Sequence, residues 1–96
     1  GSLNTAYRAY RDYVHAEAEA TNYTKETGEK MFWIRYGQSW CAKNNDEYLQ
    51  FLLTDVHPPG RHRLIGPVLN SVDFAKTFNC PVESPMNPTK KCVLWE

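Results

Sequence analysis

The chain has 96 residues, one domain at most, and its eleven Lys and Arg balance eleven Asp and Glu. A neutral chain lacks the basic face on which nucleic-acid affinity rests, and it lacks a polybasic membrane anchor. An aromatic share of 14% is too high for a disordered tail. No apolar run approaches the roughly 20 residues that span a bilayer, so no membrane contact is expected of this segment. Gly1-Ser2 reads as an expression scar and no signal-peptide core follows it.

Residues 3–20 have helical period. Leu3, Ala6, Tyr7, Tyr10 and Val14 form one apolar stripe, Arg8 and Arg11 lie off it, and Ser2 or Asn4 is a candidate cap. The polar run 21–28, ending in Gly28, reads as a loop, and Asn22-Tyr23-Thr24 within it is an N-glycosylation sequon. Residues 29–43 form a second helix, with Phe32, Tyr36 and Trp40 spaced by four and Trp33 beside them. It is apolar on more than one face, as a core-packing helix is, and Gly37 allows a close neighbour. Asn44 with Glu47 has capping-box spacing, and Tyr48, Phe51 and Leu52 continue a third helix to about Leu53. Pro58-Pro59-Gly60 ends any helix. Residues 63–69, interrupted by Gly66-Pro67, read as extended or irregular. Ser71 caps a fourth helix, with Asp73 in its first turn and Val72, Phe74, Ala75 and Phe78 on its apolar face. A proline-rich tail over 79–92 needs tethers, for which Cys80 and Cys92 are the obvious candidates. The fold class is mainly α: several helices joined by an irregular catalytic-type loop and a Pro-rich C-terminal tail.

The three cysteines, Cys41, Cys80 and Cys92, are an odd number with no C-x-x-C pair among them. The segment Thr54-Asp55-Val56-His57-Pro58-Pro59-Gly60-Arg61-His62-Arg63 concentrates chemistry, with two of the three histidines. In an extended segment Asp55 and His57 point to one side. A carboxylate there fixes the imidazole tautomer and favours a cationic ring, and Arg63 offers a bidentate fork. Together they make an oxyanion-binding set; the alternative is a solvated, charged turn. The chain has no H-E-x-x-H and no spacing that suits a Cys/His zinc site. It also has no G-x-S-x-G and no phosphate loop. His15 is expected on the surface or rim.

Thr54-Asp55-Val56-His57-Pro58-Pro59-Gly60 followed by Arg63 resembles the signature of the neprilysin and endothelin-converting-enzyme family of zinc metallopeptidases. Ala6-Tyr7-Arg8-Ala9-Tyr10 resembles the family's A-Y-x-A-Y helix. Met31-Phe32-Trp33 through Gln38-Ser39-Trp40-Cys41 resembles F-F-x-x-x-A-Q-x-W-C, with Gly37 for the alanine. Asn70-Ser71-Val72-Asp73-Phe74 through Phe78-Asn79-Cys80 resembles N-S-x-x-F-x-x-x-F-x-C. Pro85-Met86-Asn87-Pro88, Lys90-Lys91-Cys92 and Trp95 resemble M-N-P-x-x-K-C-x-x-W. Order and spacing hold from about residue 3 to Trp95, and only residues 15–30 depart.

The resemblance implies that residues 3–96 are the C-terminal part of a thermolysin-like helical catalytic domain, in a zinc endopeptidase that cleaves peptides on the amino side of hydrophobic residues. His57 would donate to the tetrahedral oxyanion, Asp55 would orient it, and Arg63 would bind a substrate carbonyl. The family's zinc ligands sit upstream of this region, so zinc is expected in the parent protein and none in this fragment, which alone is expected to be inactive. Cys41, Cys80 and Cys92 would pair with upstream cysteines. Expected partners are the peptide substrate and the rest of the same domain. The expected location is extracellular, as a secreted glycoprotein or the ectodomain of a single-pass membrane protein. The alternative is a segment of a non-catalytic homologue acting as a binding or receptor ectodomain. With three Trp, six Tyr and four Phe, an exposed apolar patch is expected around Trp33, Trp40 or Trp95, available for more protein or a second copy.

Overall fold

The computed structural model describes residues 2–17 and 24–93. Among the described residues the fold is helical without strands, as expected: α1 (Ser2–Ala16), α2 (Lys25–Ser39), α3 (Asp46–Leu52), α4 (Gly60–Leu69) and α5 (Val72–Thr77). Asn22 and Trp95 lie outside the described residues.

The α1 stripe packs inward, with Tyr7 3% and Val14 1% exposed. Tyr7, Trp33 and Val68 form the core, surrounded by Leu3, Phe32, Tyr36, Leu64, Phe74, Phe78 and Met86. The Trp33 ring stacks 4.8 Å from Tyr7 and meets Phe74 edge-on at 5.5 Å, which locks α1, α2 and α5 together. Three polar contacts reinforce the pairing of α1 with α5. Arg8 Nε donates to Asp73 Oδ2 at 3.1 Å, Ser71 Oγ donates to Asn4 Oδ1 at 2.7 Å, and the Tyr7 and Thr77 hydroxyls meet at 3.0 Å. Asn4 is therefore not the cap of α1. It sits within the helix and serves a tertiary bond.

Helix α2 begins four residues earlier than the sequence reading placed it. Thr24 is its cap, accepting from the Thr27 amide at 3.1 Å. Gly28 is buried inside the helix, where the chain needs close approach to α1 and not a break. Helix α3 is capped by Asn45, not Asn44; its side chain accepts from the Tyr48 amide at 2.8 Å.

The largest correction concerns residues 63–69, which are helical. Pro59 opens α4, and its carbonyl accepts from the Arg63 amide at 3.1 Å. Proline at position 67 removes the N–H that would bond the Arg63 carbonyl one turn earlier. The Tyr36 hydroxyl of α2 donates to that carbonyl instead, at 2.9 Å. Gly66 has no Cβ to meet the proline ring. The two residues that argued against a helix are thus accommodated, one by its own smallness and the other by a neighbouring helix.

Ser71 caps α5 as expected, accepting from the Phe74 amide at 3.1 Å. Asn79 then takes a left-handed φ of 52°. The amides of Cys80 and Asn79 close back on the carbonyls of Ala75 and Lys76 at 2.9 and 3.3 Å, the helix-ending pattern that needs such a residue. Within this chain the tail is tethered by polar bonds. Lys91 Nζ donates to the Leu69 carbonyl at 2.8 Å, the Cys92 amide donates to Asn70 Oδ1 at 2.7 Å, and Asn87 Nδ2 donates to the Cys80 carbonyl at 2.9 Å. Cys41, Cys80 and Cys92 are all free.

Of the tryptophans expected at an apolar patch, Trp33 does not stand in one. Trp33 is 3% exposed and Trp40 is half-buried. Exposed apolar side chains are most frequent on α3 and the loop after it, at Tyr48, Leu49, Phe51, Leu53 and Val56, and α3 buries none of its residues, while Tyr13, Ile34, Val72, Val82 and Val93 are exposed singly elsewhere. None of the helices among the described residues is long and apolar enough to cross a membrane.

Candidate functional site

Asp55 and His57 stand on the connection between α3 and α4. Its sequence favours an Asx-type turn, in which an aspartate bonds the backbone two residues on. Asp55 Oδ1 accepts from the His57 amide at 3.0 Å, and the same oxygen lies 3.3 Å from His57 Nδ1. The expected pairing of the two side chains is present. The His57 amide is the main influence that holds the Asp55 carboxyl below its ordinary range, and the imidazole assists. The carboxylate is therefore charged at neutral pH. Nδ1 is the ring nitrogen turned to Asp55, and Nε2 is the one left for a ligand.

Arg63 reaches the same place from the first turns of α4. Its guanidinium lies over the Trp40 ring, 4.1 Å from the centroid, a cation–π contact that fixes a long side chain. Trp40 in turn meets the Tyr36 ring edge-on at 6.3 Å. Asp55, His57 and Arg63 line one open cleft of about 250 Å³, together with Trp40, Asn44 and Tyr48. All three expected site residues are thus brought to one cleft. It offers the free ring nitrogen of His57, an anchored carboxylate and a guanidinium fork, a set suited to an oxyanion or a carbonyl when the ring is cationic.

Two features of the site were not identified as such from the sequence. Trp40 was read as core or patch, yet it is the shelf under Arg63. Gly60 lets the loop close on α2, because a Cβ there would lie 2.9 Å from the Trp40 carbonyl oxygen. The spacing of four between Tyr36 and Trp40 was the available signal, but it does not say which ring faces a cleft. Cys41 also borders the cleft, whereas Cys80 and Cys92 belong to the tail. His15 lies on the rim as expected, its Nε2 2.6 Å from Glu29 Oε1. Among the described residues no three His, Cys, Asp or Glu side chains gather to hold a metal ion.

Comparison with known proteins gives one consistent result. The sequence profile of peptidase family M13 matches residues 1–94. Neprilysin-2 of Drosophila melanogaster is 42% identical over 101 residues, which cover 99% of this chain and 13% of that protein. Neprilysin of Oryctolagus cuniculus is 40% identical over 98 residues, and endothelin-converting enzyme 1 of Bos taurus is 42% identical over 98, with the same shares covered. The chain thus spans about an eighth of the length of these relatives. No solved structure matches significantly. A profile matching almost the whole chain, and relatives near 40% identity across it, establish that this chain belongs to peptidase family M13, among the neprilysins and endothelin-converting enzymes.

Proposed function

We propose that this chain is the C-terminal portion of a zinc metalloendopeptidase, in which it supplies transition-state stabilisation and substrate binding. The observation that carries the reading is the shared cleft: the anchored pair of Asp55 and His57 faces the same space as Arg63. When a peptide bond is attacked, negative charge develops on the carbonyl oxygen. In its cationic form, with a proton on each ring nitrogen, His57 donates Nε2–H to that charge, and Asp55 holds the ring in place for it. Arg63 binds a backbone carbonyl of the same substrate. The zinc ligands are placed outside this chain, and activation of water belongs with them.

Several further assignments go with this reading. The enzyme cleaves on the amino side of hydrophobic residues and acts extracellularly, secreted or as an ectodomain. Cys41, Cys80 and Cys92 pair with cysteines elsewhere in the whole protein, and Asn22 carries a glycan. The isolated 96-residue chain does not turn over peptides.

The test is kinetic, on the full-length protein. His57→Ala should lower kcat about 10²- to 10³-fold with little change in KM, the scale on which one oxyanion donor acts. Arg63→Ala should mainly raise KM. A full-length His57→Ala enzyme with wild-type kcat would overturn the reading.

A further inference from the structure

We propose that Tyr36 is a positioning residue for Arg63, and that its hydroxyl does the work of the backbone N–H that Pro67 lacks. The proposal rests on the reading of Arg63 as a substrate-binding group.

Three observations converge on Tyr36. Its hydroxyl donates to the Arg63 carbonyl at 2.9 Å. Proline at 67 deprives that carbonyl of its helical partner. The Tyr36 ring packs edge-on against Trp40, and the Arg63 guanidinium lies on Trp40. Tyr36 therefore holds Arg63 at both ends: the main chain directly, and the side chain through the indole shelf. A helix that lacks an internal bond at this turn is free to bend there. Bending would swing the guanidinium relative to the loop that carries Asp55 and His57. The hydroxyl removes that freedom from α2, a separate element, and so ties the cleft's binding group to the core around Trp33 and Tyr7.

Tyr36 touches no reacting atom in this scheme. Its loss should loosen Arg63 and leave the His57 chemistry intact, so the effect belongs in KM.

The experiment is steady-state kinetics of the full-length peptidase with a quenched peptide substrate. Four variants are compared: Tyr36→Phe, Pro67→Ala, the double variant and Arg63→Ala. Tyr36→Phe should raise KM roughly three- to tenfold, the worth of one neutral hydrogen bond, with kcat within about twofold. Pro67→Ala restores a helical N–H to the Arg63 carbonyl. In the double variant it should bring KM back to within about twofold of the parent. A merely structural loss would lower the melting temperature without this split and without this rescue. The inference falls if Tyr36→Phe leaves KM unchanged, if it lowers kcat as much as it raises KM, or if Pro67→Ala does not rescue it. Arg63→Ala separates the two levels. If Arg63→Ala leaves KM unchanged, the reading of Arg63 itself fails. If it raises KM while Tyr36→Phe does not, only the role of Tyr36 fails.

Discussion

The Cβ that Gly28 lacks would lie 2.6 Å from a γ-methyl of Val14, a side chain only 1% exposed. Here α1 and α2 are in direct contact, and Val14 is enclosed by its surroundings. Gly28→Ala should destabilise the protein by about 1–3 kcal/mol, the cost of overpacking a filled site, less up to about 1 kcal/mol of gained helix propensity. Denaturant titration measures it. Combining it with Val14→Ala should recover part of the loss relative to the sum of the single changes, because the two side chains compete for one space.

Gly37 presents the opposite case on the same helix. Its added Cβ would meet the Leu64 methyls at 3.7 and 3.8 Å, ordinary contact distances. Nothing has to move, and the helix gains a better former. Gly37→Ala should therefore stabilise by about 0.5–1 kcal/mol, read as a raised denaturant midpoint with unchanged slope.

These two glycines show what the sequence could reveal and what it could not. Features that depend on neighbouring residues were legible: the α1 stripe, the Ser71 cap and the Asp55–His57 turn. Gly28 was read as the end of a polar loop from its own stretch of sequence, whereas it lies inside α2 and its role is set by Val14 on another helix. Residues 63–69 were read as irregular for the same reason. The defect at Pro67 is local, but the Tyr36 hydroxyl that offsets it arrives from α2. The patch was assigned to tryptophans because they are large and apolar. Trp33 is buried by packing across α1, α2 and α5, whereas the short α3 is left exposed. Of the site, the residue types and the pair were readable, but the shelf under Arg63 was not.

Tyr7 makes stability depend on alkaline pH. Burial is the main cause that raises its phenol above 10.0, since the charged form would be desolvated. A folded value above the unfolded one means that the unfolded state releases its proton first. The contribution is therefore complete below about pH 10 and is lost as pH rises through the folded value. Tyr7→Phe should cost about 0.5–1.5 kcal/mol at neutral pH through the lost Thr77 contact. It should also make the alkaline fall in stability shallower, which denaturant midpoints taken on either side of pH 10 will show.

Asp55 should titrate at the acid end. Its carboxyl is held low, first by the His57 amide. With a depressed folded value, the bonded turn is intact above the ordinary carboxylate range and is lost only as pH falls through that lower value. The His57 amide resonance should therefore shift with a midpoint below 3.8 in an NMR titration. A midpoint at or above that value would mean that the turn is not formed in solution.

Gly60 links the loop's conformation to the cleft. The atom its Cβ would approach, at 2.9 Å, is the Trp40 backbone oxygen, which cannot rotate aside as a side chain does. In Gly60→Ala the start of α4 must move away from the end of α2. Trp40 is the shelf under Arg63, and Gly60 follows directly after the His57-Pro58-Pro59 segment, so the shift alters both halves of the site at once. A displacement of about 1 Å can cost on the order of 10²-fold in rate. The full-length variant should therefore lose at least about tenfold in kcat/KM, shared between a lower kcat and a higher KM. This is a different signature from the KM effect expected of Tyr36→Phe. Measuring both constants for the two variants distinguishes a displaced cleft from a loosened Arg63.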